Sequence, residues 1–134
     1  NFIGESNVLE GYIIERDVKE TLIELRGGLR VQTTSSAIRK GEKVLLAIRP
    51  EAFVVEEEEG MNTIPGVVER VTFEGTNIRY EITLQNQDTI VIVKPSMIGR
   101  WLKVEENVIV SFPPEKAHVF PYPETGMKEE LAVE

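Results

Sequence analysis

Short apolar alternations separated by turn residues run along the chain. Gly11-Tyr12-Ile13-Ile14-Glu15-Arg16 predicts one strand and Thr21-Leu22-Ile23-Glu24-Leu25 a second. A Gly27-Gly28 pair joins the second to Leu29-Arg30-Val31-Gln32-Thr33, which predicts a hairpin because tight hairpin turns need the positive φ that glycine accepts. Lys40-Gly41 marks another turn. Val44-Leu45-Leu46-Ala47-Ile48 is apolar at every position, the pattern of a central strand. Pro50 ends it, having no N–H for the ladder, and Phe53-Val54-Val55 predicts a short closing strand.

Glu56-Glu57-Glu58-Glu59-Gly60 interrupts the pattern. Four adjacent carboxylates repel one another and predict a solvated connector; a flexible run of this kind has no preformed cage for a metal ion. The pattern then restarts. Gly66-Val67-Val68-Glu69-Arg70 echoes the first strand, with Glu69 read against Glu15. Tyr80–Leu84, a polar turn at Asn86-Gln87-Asp88 and Thr89–Val93 echo the hairpin. Ser111-Phe112-Pro113-Pro114-Glu115 echoes Ala47-Ile48-Arg49-Pro50-Glu51. The second half carries extra residues around Met97–Lys103, where Ser96 could cap one helical turn. Two β units, each a small Greek-key barrel, account for this repeat. Neither could bury a sufficient core alone, so they are expected to pack together or share strands. The expected boundaries are 1–57 for the first unit, 58–64 for the acidic connector, 65–120 for the second unit and 121–134 for a tail punctuated by prolines.

Composition sharpens the class. Val, Ile and Thr number 16, 13 and 9 of 134 residues, against 5 Ala, so an all-β fold is expected rather than a helical bundle. The absence of cysteine excludes disulfides, Cys–zinc sites and thiol catalysis within these residues, and one His makes a histidine-based site improbable. A net charge of −8 argues against a general nucleic-acid binder. The charge is uneven, because Arg26 to Arg49 holds six cations and a single acid, Glu42. An oligonucleotide-binding face would use such a window, but five Phe, three Tyr and one Trp supply few stacking platforms.

Catalytic motifs are missing: there is no G-x-x-x-x-G-K-[ST] loop, G-x-G-x-x-G, H-E-x-x-H or G-x-S-x-G. Three features remain. Phe2-Ile3-Gly4 opens an apolar, glycine-rich lead into the first strand and reads as a chain continuing from something upstream. With Phe73 and Gly75, where another backbone could approach closely, it is a candidate interface. Arg49, Pro50 and Glu51 form a candidate structural corner with an ion-pair-capable couple. The clustered hydroxyls and cations at Ser35, Ser36, Arg39 and Lys40 form a candidate oxyanion loop.

Five segments carry a resemblance: Phe2–Asn7 (F-I-G-E-S-N), the glycine-led first strand, Gly41–Glu51 (G-E-K-V-x-x-x-I-R-P-E), Val71–Thr76 (V-T-F-E-G-T) and Val110–Phe120 (V-S-F-P-P-E-K-A-H-V-F). In that order they resemble the C-terminal regulatory domain of ATP-binding-cassette importer ATPase subunits, the TOBE type related to molybdate-binding barrels. The resemblance implies tandem OB-like barrels following an ATPase domain absent from these residues. It implies no cofactor here, ATP and Mg being held by the parent chain. It also implies a second ATPase subunit as homodimer partner, permease subunits reached through the absent domain, and a peripheral place on the cytoplasmic face of the membrane without direct insertion. F-I-G-E-S-N and V-S-F-P-P-E are more similar to spermidine/putrescine and ferric-iron importers than to maltose importers. Two other readings stand beside this one. A self-standing molybdate, tungstate or sulfate binder would use the Ser35–Lys40 loop, although Ser36-Ala37-Ile38-Arg39 departs from the S-A-R-N pattern of such proteins. A single-strand nucleic-acid binder would use the basic window.

Overall fold

A computed structural model describes residues 5–123. They form ten strands: β1 (Asn7–Arg16), β2 (Glu20–Leu25), β3 (Arg30–Thr34), β4 (Lys43–Ile48), β5 (Val54–Glu56), β6 (Ile64–Glu74), β7 (Asn77–Leu84), β8 (Thr89–Pro95), β9 (Asn107–Ser111) and β10 (Ala117–Pro121). The helical content of the described residues is three 3-10 turns, Arg26–Gly28, Pro50–Ala52 and Pro114–Lys116. The expected helical turn after Ser96 is instead a bent loop with Gly99 at φ 77°. Gly27 and Gly28 both take positive φ, as the β2–β3 hairpin demands.

The strands form two five-stranded antiparallel sheets, in the orders β10-β4-β1-β2-β3 and β5-β9-β6-β7-β8. The sheets share strands rather than merely packing. β5 follows directly from the first half yet pairs with β9, Val54 opposite Ser111. β10 ends the second half yet pairs with β4, Ala117 opposite Ile48. Each half therefore lends its last strand to the other sheet, and the segments 1–57 and 65–120 interlock.

The repeat is kept in three dimensions. Gly11 of β1 and Gly66 of β6 lie flush against the neighbouring strand: a Cβ would stand 2.7 Å from the Ile23 or Ile82 methyl and 2.8–3.0 Å from the Glu24 or Thr83 carbonyl oxygen. Three residues on, each strand bulges, at Ile14 between Ile13 and Glu15, and at Glu69 between Val68 and Arg70. The structural partner of Glu15 is therefore Arg70, and Glu69 matches Ile14. The Glu15–Glu69 pairing read from the sequence is one residue out. Such bulges bend and twist a strand, which lets so short a sheet curl around its own core.

That core runs through both units. Ile13, Ile23, Leu46 and Ile48 are buried together with Ile64, Ile82, Leu84 and Val110, and Phe53 meets Phe112 edge-on at 5.9 Å between ring centres. Glu57, Glu58, Glu59 and Gly60 lie exposed, while Glu56, the first of the four adjacent glutamates, is the exposed last residue of β5 rather than part of the connector.

Candidate functional site

The junction between the units is the most specifically built region. Asn7, buried at the start of β1, donates its Nδ2 to the Val91 carbonyl (2.8 Å) and accepts the Val91 N–H on Oδ1 (2.7 Å). Asn62, buried just before β6, does the same to Gln32, at 2.9 and 2.6 Å, and also donates to the Phe112 carbonyl. A primary amide offers a peptide group a donor and an acceptor side by side, matching both its carbonyl and its N–H. Each half thus uses an Asn to extend the ladder of the other half's third strand. Glu5 adds a fork to Arg79 of β7, Nη1 to Oε1 at 2.7 Å, which holds the Glu5 carboxyl below the usual carboxylate range. Asn7 stands out in sequence only as part of the lead into the first strand and Asn62 not at all; the signal for both is their equal spacing, four residues ahead of Gly11 and Gly66.

The Arg49-Pro50-Glu51 corner sits at this junction. Pro50 is buried as the first residue of its 3-10 turn, which packs on β8, and the matching turn at Pro114–Lys116 packs on β3. Arg49 Nε lies 3.5 Å from Glu51 Oε2, both side chains about half exposed. With Glu5, Asn77, Val93 and Pro95 they line a cleft between the units.

Phe73 and Gly75 lie at the β6–β7 hairpin. Gly75 takes the positive φ (65°) of its two-residue turn. Phe73 remains 57 % exposed and meets the Trp101 ring at 5.1 Å, while Met97 and Ile98, in the loop that carries Trp101, are also exposed. The indole N–H donates to the Ser96 carbonyl, and the Ser96 N–H donates to the Thr76 carbonyl at the hairpin tip, so loop and hairpin form one corner. Trp101, Met97 and Ile98 were not singled out from sequence, because an irregular loop has no periodicity to betray which side chains face water. Phe2, Ile3 and Gly4 lie outside the described residues.

The Ser35–Lys40 loop pairs both of its cations within the first unit. Ser36 Oγ accepts the Ile38 N–H, Arg39 lies 3.5 Å from Glu42, and Lys40 Nζ lies 3.3 Å from Glu15. The pseudo-equivalent loop of the second unit spans residues 94–103. Register carries Ser35 onto Lys94, Ile38 onto Leu102 and Glu42 onto Glu106. The Arg39 N–H donates to Glu42 just as the Lys103 N–H donates to Glu106. Arg100 forks onto the same Glu106 carboxylate and, with the Lys103 N–H, pulls its pKa down to about 2. Among the described residues no cluster of His, Cys, Asp or Glu could hold a metal ion, and no helix is long and apolar enough to cross a membrane.

This architecture has known counterparts. The chain superposes on the cytoplasmic molybdate-binding protein ModG with a TM-score of 0.75, at 16 % identity over 89 % of this chain and 98 % of that one, which shows the fold: tandem OB-like β units. In sequence it is 25 % identical over 120 residues to the spermidine/putrescine import ATP-binding protein PotA 1 of Pseudomonas aeruginosa, covering 89 % of this chain and 32 % of that protein. It is 27 % identical over 121 residues to the Fe(3+) ions import ATP-binding protein FbpC of Fusobacterium nucleatum, covering 89 % and 31 %. Over 66 % of the chain it is 35 % identical to PotA of Desulfitobacterium hafniense, covering 23 % of that protein. The chain thus spans about a third or less of the length of these relatives. The TOBE domain model matches residues 46–120, from the central strand β4 through β10, and so includes both exchanged strands. With that match over more than half its length, the chain belongs to the TOBE domain family.

Proposed function

We propose that these residues are the C-terminal regulatory and dimerisation module of the ATP-binding subunit of an importer, with polyamines as the transported class. The observation that carries this is near-complete coverage of the chain by alignment to about a third of polyamine and ferric-iron import ATP-binding proteins. No phosphate loop occurs in the sequence, so ATP and Mg belong to the remainder of such a subunit, as do contacts with permease subunits. The module itself is no enzyme. It acts by contact, through differential affinity for two states of the assembled transporter. The exposed corner of Phe73, Gly75 and Trp101 fits that role, facing a second copy of the subunit at the cytoplasmic side of the membrane.

The test is uptake of labelled spermidine by cells carrying the intact ATP-binding subunit, either whole or lacking these 134 residues. Changed uptake or changed control of uptake, with the truncated subunit still folded and turning over ATP, supports the reading. Unchanged uptake overturns it.

The likeness to molybdate-binding ModG favours a second reading, an oxyanion site on the same fold. Calorimetry with molybdate, tungstate and sulfate separates the two, micromolar binding of any of them supporting the second.

A further inference from the structure

The mouth of the second unit differs from that of the first in chemistry as well as shape. A cavity of about 270 Å³ opens there, walled by Val55, Ile98 and Trp101 and floored by Tyr80 and Leu102. Its floor is fixed: buried Tyr80 accepts the Leu102 N–H on its hydroxyl at 3.0 Å. Its wall is fixed by the indole bond to Ser96. Lys94 projects into this mouth from the core-facing side of β8, opposite buried Ile78.

Lys94 is a half-buried cation with no ion pair among the described residues. Its ammonium donates to the Phe53 carbonyl, one of the three bonds it can make. Burial holds its pKa below the ordinary lysine value, as expected for a charge short of both water and counter-charge. The other charges at the mouth do not relieve it. Arg100 is committed to Glu106, and Glu57 sits at the rim close enough to act on Arg100.

We infer that this mouth is a binding site for a small organic monocarboxylate, its carboxylate on Lys94 and its apolar body against Trp101, Ile98 and Val55. A carboxylate offers acceptors for the two spare ammonium protons in a charge-assisted contact. One unpaired cation matches one negative charge, and the Glu57 carboxylate disfavours an inorganic dianion. The volume lies just below the roughly 300–1,000 Å³ of drug-sized sites, so the ligand is small. The corresponding positions of the first unit lack these groups, Ser35 standing where Lys94 would and Thr21 where Tyr80 would. This inference stands apart from the role in transport and does not depend on it.

Trp101 is the only tryptophan and reports on the cavity directly. The chain is titrated at neutral pH with benzoate, benzamide and sulfate, followed by indole fluorescence and by calorimetry. Benzoate should bind saturably. Lys94→Met should weaken it by about tenfold or more, and Lys94→Arg should restore most of the affinity. If Lys94→Met does not fold, Ile98→Asp serves instead: Ile98 is 71 % exposed, so the fold should tolerate a carboxylate there, and benzoate should be repelled. Equal binding of benzamide would show that the charge is not read. Sulfate competing as well as benzoate would make this an inorganic-anion site. Either result, or no saturable response to benzoate, overturns the inference.

Discussion

At the scale of single residues, two effects of very different size meet at the junction between the units. The Arg49–Glu51 pair is about half exposed at 3.5 Å, the setting in which water screening and side-chain entropy leave about 0–1 kcal/mol. The Asn62 amide is buried and satisfies three backbone groups, the Gln32 N–H and carbonyl in the other half and the Phe112 carbonyl in its own, so its loss leaves those groups unpaired at about 1–3 kcal/mol. Urea unfolding should therefore show Glu51→Ala within about 1 kcal/mol of the parent chain and Asn62→Gly clearly below it. Glycine is the right replacement, because Asn62 sits at φ 58° and alanine would add backbone strain. Gly66→Ala should also destabilise, by about 1–3 kcal/mol, since its methyl would meet the Ile82 methyl at 2.7 Å and strand backbone at 3.0 Å. A Glu51→Ala variant less stable than Asn62→Gly would reverse this ranking.

At the scale of elements, strand alternation and turn chemistry were legible along the chain, because each depends on neighbours in sequence. The hairpin at Gly27-Gly28, the central strand β4 and the turn at Asn86–Asp88 all follow from such local rules. The bulges were not legible. An inserted residue changes which side chains share a face without changing composition, and so Glu69 was matched to Glu15 when the backbone sets it against Ile14. The loop between β8 and β9 was read as a helical turn because Ser96 resembles a cap. Its serine N–H and hydroxyl instead both donate to Thr76, and Gly99 turns the chain. That loop also carries the strongest carboxylate response. Glu106 has its pKa depressed to about 2 by Arg100 and the Lys103 N–H. A depressed folded-state pKa stabilises above the ordinary value near 4.5, and the contribution fades as pH falls from there towards 2. Glu5 and Asp17, also depressed, act in the same direction. Melting temperature should fall over that interval, and Glu106→Gln should flatten the fall. An unchanged slope in that variant would assign the acid sensitivity elsewhere.

At the scale of the whole molecule, the internal repeat and shared strands as one of two outcomes were legible in sequence, but that β5 and β10 are the strands exchanged was not, because strand order depends on contacts far apart in the chain. The exchange makes the two sheets mutually dependent, so unfolding followed by Trp101 fluorescence and by far-ultraviolet circular dichroism should give one coincident transition. The interlocked pair carries an exposed apolar corner, Phe73 against Trp101, that has no role in that core. Sedimentation equilibrium of the intact ATP-binding subunit tests the proposed contact role most directly, comparing the parent chain with a Phe73→Ser, Met97→Ser variant. Both side chains are more than half exposed, so the module should stay folded, and the variant should form a weaker dimer with an unchanged melting temperature. A variant that dimerises as tightly as the parent would contradict it.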